Sequence, residues 1–182
     1  IQVGYHRIGY CEPSPNFYID ANGIVVVRYN ENGTPDNTFG DNGKVFTPIT
    51  GCQDQAYSVA LQADGKIIVT GVCDNGHGNG FGVIRYNSNG SLDNSFAGDG
   101  IVDEGTGNAW FQSFVAIQTD GKIVVAGTTF GPRTWDFTVA RYNSDGKLDN
   151  NFGLNGIIKT DIVNKIDHSS DDIVTCLALT SD

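Results

Sequence analysis

The apolar residues of this chain fall in short runs rather than at helical spacing. GIVVVRYN from Gly23, YSVALQ from Tyr57, KIIVTG from Lys66, GVIRYN from Gly82 and KIVVAG from Lys122 are the clearest. Each run is bounded by Gly, Asp or Asn, the residues that supply turn conformations. No segment sustains a 3.6-residue apolar period with caps, so few helices are expected. The runs also lack a clean alternation of apolar and polar positions. Continuous apolar runs of this length predict strands that are covered on both faces.

The pattern then repeats itself. Arg28-Tyr29-Asn30 recurs as Arg85-Tyr86-Asn87 and Arg141-Tyr142-Asn143, at spacings of 57 and 56 residues. The segment beginning at each of these asparagines recurs with it: NENGTPDNTFGDNGKV, NSNGSLDNSFAGDGIV and NSDGKLDNNFGLNGII. A second block, SVALQADGKIIVTG from Ser58, returns as SFVAIQTDGKIVVAG, and a third copy, IVTCLALTSD, stops at Asp182. The opening IQVGY resembles the strand that would come after it, so joining the ends gives three whole repeats.

Each repeat reads as four strands. Asp64-Gly65 and Asp120-Gly121 are expected as two-residue hairpin turns of the type that needs positive φ. Four strands recurring every 40 to 60 residues is the spacing of one propeller blade. The expected fold is therefore all-β, a β-propeller-type repeat of three four-stranded blades of about 56 residues in one domain, 1–182. The blade units are read as 24–81, 82–137 and 138–182, with 1–23 completing the last. Three blades are fewer than the usual four to eight, so a second copy or further blades is expected to complete the ring.

RYNSDGKLDNNFGLNGIIKTD together with VAIQTDGKIVVAG resembles the bacterial delta-60 repeat family. The resemblance runs from about Gly23 to Asp182. It implies propeller modules of large secreted or cell-surface proteins and carries over no catalytic residues. HRIGYCEPSPNFYIDANG, from His6, departs from the pattern as an insertion, and is where a functional loop or a contact to another domain is expected.

Composition narrows the function classes. The chain has 182 residues, 24 of them Gly and 5 Pro, and a formal net charge of −10. Such an acidic surface repels nucleic-acid phosphates and anionic membranes, and no apolar stretch approaches the length of a membrane span. The chain has no Met and opens inside a strand, which reads as a mature, processed or excised polypeptide. Cys11, Cys52, Cys73 and Cys176 form no CxxC pair. They read either as one or two disulfides in an oxidising compartment or as buried thiols, with Cys176 in its apolar run the expected core thiol.

Three sets of residues carry candidate chemistry. Asn30, Asn32 and Asp36, then Asn87, Asn89 and Asp93, then Asn143, Asp145 and Asp149 form a Gly-bearing loop that superficially resembles a calcium site. The competing reading is a turn held by side-chain-to-backbone hydrogen bonds. Arg28, Arg85 and Arg141 are expected to pair with Asp36, Asp93 and Asp149, and Phe39, Phe96 and Phe152 to anchor packing. The unrepeated Trp110, Trp135 and His77 are the weak candidates for a binding site. His6, His77 and His168 are not equivalent, and no nucleophile motif accompanies them, so no enzyme is expected. The expected function is a non-catalytic structural or interaction module, exported or at the cell surface, with a protein partner or second copy. A carbohydrate-binding lectin is the alternative, and a propeller hydrolase is less favoured.

Overall fold

The computed structural model describes residues 1–6, 23–49, 55–74, 79–103, 109–131, 134–162 and 171–180. Within them lie eleven strands and no helix: β1 (Gln2–His6), β2 (Gly23–Val27), β3 (Lys44–Pro48), β4 (Gln55–Leu61), β5 (Ile67–Asp74), β6 (Asn79–Tyr86), β7 (Ile101–Val102), β8 (Ala109–Ile117), β9 (Ile123–Phe130), β10 (Trp135–Tyr142) and β11 (Ile157–Thr160). They form three antiparallel sheets in simple chain order, β1-β2-β3, β4-β5-β6-β7 and β8-β9-β10-β11. The all-β propeller-type architecture expected from the repeats is present, and the three sheets do not close a ring.

The two-sided apolar runs explain how the sheets stack. β5 sends Ile67 and Val69 into a core shared with Ile24, Val26 and Phe39 of the first sheet. It sends Ile68 and Val72 the other way, toward Val125, Ala140 and Tyr142 of the third. A strand sandwiched between two neighbours buries both faces, so that even the polar Thr70 of β5 is covered. β9 is likewise buried from Ile123 to Thr129. Its neighbour β10 instead alternates half-buried and buried positions along its length.

Three expectations need correction. The first sheet has three strands among the described residues, not four. Sheets also fall out of phase with the units read from sequence, because Gln2–His6 pair with Gly23–Val27 in the first sheet. A period fixes the spacing of a repeat and leaves its starting point open. Finally, the Asp64-Gly65 and Asp120-Gly121 hairpins are not two-residue loops. Gly65 N donates to Gln62 O and Gln62 N to Lys66 O, and within the turn only Gly65 has positive φ. That is a three-residue loop ending in a left-handed glycine, which preserves strand twist as the shorter turn would.

Residues 171–180 carry the third copy of the block that forms β4 and β8, yet pair as no strand. The segment is anchored at its start, where Asp172 N donates to Trp135 O at 2.7 Å and Val174 N to Thr128 Oγ1 at 2.9 Å. Cys176, expected in the core, is a free and exposed thiol because the segment has joined no sheet. Cys11 and Cys52 lie outside the described residues, as does the side chain of Cys73.

Candidate functional site

Each repeat builds the same polar hub from its Arg, Asp and Phe. The arginine ends the apolar run, and the chain then turns back so that the aspartate eight residues on meets it. Arg28 Nε lies 2.8 Å from Asp36 Oδ2, Arg85 Nε 2.7 Å from Asp93 Oδ2 and Arg141 Nε 2.8 Å from Asp149 Oδ2. The three guanidinium planes lie over Phe39, Phe96 and Phe152 at 4.6, 4.6 and 4.5 Å from the ring centroids, within cation–π range. The expected arginine–aspartate pairs are thus formed in all three repeats, and Phe39 and Phe96 are fully buried anchors, while Phe152 is half-buried.

The hub also ties one blade to the next. Arg28 Nη1 donates to Ser88 O, and Arg85 Nη1 to Ser144 O at 2.6 Å. Beside these contacts, Gly40 N donates to Asn89 O at 2.9 Å and Ala97 N to Asp145 O at 2.8 Å. The turn around Asn89-Gly90 therefore sits in a socket made by Arg28, Phe39, Gly40 and Val45. The turn around Asp145-Gly146 sits in the equivalent socket of the second sheet.

Lysines of the β4–β5 and β8–β9 hairpins add a second cation, Lys66 Nζ at 2.8 Å from Asp93 Oδ2 and Lys122 Nζ at 3.4 Å from Asp149 Oδ2. Burial works to raise the Asp93 carboxyl. Hydrogen bonds from Lys66 and Ser95 and the charge of Arg85 outweigh it and hold the group well below the usual carboxylate range. A hydrogen bond from the Asn151 amide leads the same lowering at Asp149.

A depressed folded-state value means that the unfolded chain binds more protons in acid. The stabilisation is then whole above the ordinary aspartate value of 3.8 and fades as pH falls through the folded-state value. The urea midpoint is expected to drop below about pH 4, and to drop less steeply in Asp93→Asn. Parallel slopes for the two proteins would remove Asp93 as the source.

The calcium candidates are engaged as turn formers. Asn30 Nδ2 donates to Thr34 Oγ1 at 3.1 Å and to Pro35 O at 3.2 Å, so its amide nitrogen is used inside the loop. Asn32 Oδ1 accepts from Thr34 N and Oγ1, and Asp36 Oδ1 from Thr38 N and Oγ1. Asn87, Asn89 and Asp93 repeat this pattern. Asn143 donates to Leu148 O, Asp145 accepts from Lys147 N, and Asp149 accepts from Asn151 N.

Of the binding candidates, Trp135 opens β10 with its ring edge-on to Phe130, centroids 5.0 Å apart. Trp110 lies on β8 with its side chain outside the described residues, and His77 lies outside them altogether. Sequence reasoning missed a convergence next to Trp135. Asp136, Asp161 and Asp172 bring one carboxylate oxygen each within 4.8 Å of one another. Three carboxylates are a donor set suited to a hard cation. They come from a strand and two connecting segments and do not recur in the other repeats, so no spacing or repeat signal announces them.

The model of the family described as "Domain of unknown function (DUF5122) beta-propeller" matches residues 16–39, 62–96 and 118–152, together just over half of the chain. No curated protein matches the chain, and no solved structure matches it.

Proposed function

The chain belongs to this β-propeller family, and from that premise we propose that it is a non-catalytic structural and interaction module of an exported or cell-surface protein, working through its propeller scaffold. One observation carries the reading. The polar residues that recur in every repeat are spent on each other: arginine on aspartate and phenylalanine, asparagine on its own turn. The repeated chemistry builds and joins blades and, among the described residues, these repeated arginines, aspartates and asparagines are engaged in that work. The finer likeness to delta-60 repeats supports export. Labelling of intact cells with an antibody to the chain, together with assay of the medium, tests this. Signal at the surface or in the medium is expected, and retention of all the chain inside the cells would overturn the reading.

A lectin is the second reading, favoured by the Phe130–Trp135 pair. Phe130 is 44% exposed and leans on Trp135 beside the carboxylates, a platform of the kind that sugars stack against. On that reading Phe130→Ala abolishes binding to a glycan array without changing the circular dichroism spectrum. An array that is blank for the unaltered chain removes it.

A further inference from the structure

We propose that the cleft between the second and third sheets receives a basic, extended segment of a partner protein, the stem of an arginine or lysine lying on Ile101 and Val102 and its charge among Asp99, Asp103 and Asp145. The proposal rests on the interaction-module reading above and names the class of partner. The cleft is open and holds about 600 Å³. The half-buried pair that forms β7 supplies its apolar lining. The turn that precedes β7 and the Asp145-Gly146 turn of the third sheet supply the rest. Gly98 leaves that lining uncrowded, since a Cβ there would meet nothing within 4 Å.

The three repeats serve as templates for one another, and each carboxylate of the cleft departs from them. Asp99 stands where the first and third repeats carry Asn42 and Asn155. Asp103 stands where they carry Phe46 and Lys159, and Asp145 where the first and second carry Asn32 and Asn89. The turns do not need these charges to form. Asn89 Oδ1 accepts from Ser91 N at 3.0 Å, as Asp145 Oδ1 accepts from Lys147 N at 3.0 Å. Lys147 is a departure of the opposite sign, but its side chain is 81% exposed and its Nζ lies 3.7 Å from Asp145 Oδ2. The cleft thus sets three carboxylates against one ammonium. The equivalent place on the first sheet sets Asp41 against Lys44 and carries Phe46 in place of Asp103, so the acidic excess distinguishes the second joint from the first.

The chemistry of the lining selects the partner. Carboxylates beside a half-buried apolar strand suit a long cationic side chain, whose methylenes cover the apolar surface while the head stays among the charges. The three carboxylates do not all approach one another within the 4.8 Å of Asp136, Asp161 and Asp172. That spread suits several cations carried on one chain rather than a single metal ion. β7 is the outer strand of its sheet and, among the described residues, pairs with β6 alone, so a segment in extended conformation fits along it. The net charge of −10 adds a long-range pull on a basic partner.

Fluorescence anisotropy of a short fluorescein-labelled peptide of alternating arginine and alanine tests this. The unaltered chain is expected to bind it, and not to bind the same peptide with glutamate in place of arginine. Asp103→Lys introduces the residue type that the third repeat carries at this place, and is expected to weaken binding about tenfold or more. Glu31→Lys makes the same change of net charge on an exposed turn of the first sheet, and is expected to bind within about twofold of the unaltered chain. The double variant Asp99→Asn/Asp145→Asn keeps an acceptor oxygen for each turn. It is expected to weaken binding with no change in the circular dichroism spectrum, and it decides the matter should Asp103→Lys fail to fold. An unaltered chain that ignores the arginine peptide, equal losses in Asp103→Lys and Glu31→Lys, or full binding by the double variant would each overturn the proposal. Any of these results leaves the surface-labelling test of the broader reading untouched.

Discussion

Arg85→Ala is expected to destabilise the chain by about 3–4 kcal/mol, several times the cost of the same change at Arg28. The two arginines make the same contacts and differ in their surroundings. The Arg85 and Asp93 side chains are 5% and 8% exposed, whereas those of Arg28 and Asp36 are 21% and 20% exposed. Removing Arg85 strands a desolvated carboxylate with Lys66 and Ser95 as its remaining side-chain partners. It also uncovers the Phe96 ring and leaves Ser144 O without its donor. At Arg28, water can take over much of what the guanidinium did, and about 1 kcal/mol is the expected loss. Urea unfolding of the two variants decides the matter. Equal losses would show that the shared geometry, and not burial, sets the worth of the hub. In the double variant Arg85→Ala/Asp93→Ala the cost should fall well short of the sum, since the buried carboxylate goes with its guanidinium and the charge that loses its partner is Lys66, which is 28% exposed.

Much of this is legible in the sequence, because repetition exposes whatever it copies. Arg-Tyr-Asn with its downstream aspartate and phenylalanine occurs three times, so the pairing of Arg85 with Asp93 can be expected from the residues alone. The apolar runs KIIV and KIVV announce strands covered twice, and β5 and β9 are those strands. Phase is not legible. The repeat says that strands recur, and nothing in the period says that β1 joins β2 rather than the sheet ending at Thr160. Turn class is ambiguous at Asp64-Gly65, since the dipeptide suits both a two-residue loop and the left-handed exit of a three-residue one. The carboxylates of Asp136, Asp161 and Asp172 are invisible, because they lie far apart in the chain and meet only through the course of the segment 171–180 along the third sheet. Cys176 departs from expectation for a different reason: its apolar neighbours predict burial, and burial requires a sheet to join.

Gly90→Ala is the sharper test of how blades are held together. Gly90 has φ of +92°, a conformation that costs an L-residue roughly 1–2 kcal/mol. That strain alone is measured by Gly121→Ala, where φ is +82° and a new Cβ would meet nothing within 4 Å. At Gly90 the methyl would also press on Val45, on the fully buried Phe39 and on the Gly40 amide that donates to Asn89 O. Overpacking of this kind adds roughly 1–3 kcal/mol, so Gly90→Ala should lose about 2–5 kcal/mol and Gly121→Ala about 1–2 kcal/mol. In a stack whose units touch only their neighbours, the loss falls on one junction. Hydrogen exchange is then expected to accelerate at the Gly40 amide and across β2, while β9 and β10 keep their protection. Acceleration spread evenly over all three sheets would mean that the blades stand or fall together, and that the Asn89-Gly90 turn is not the joint between the first and the second.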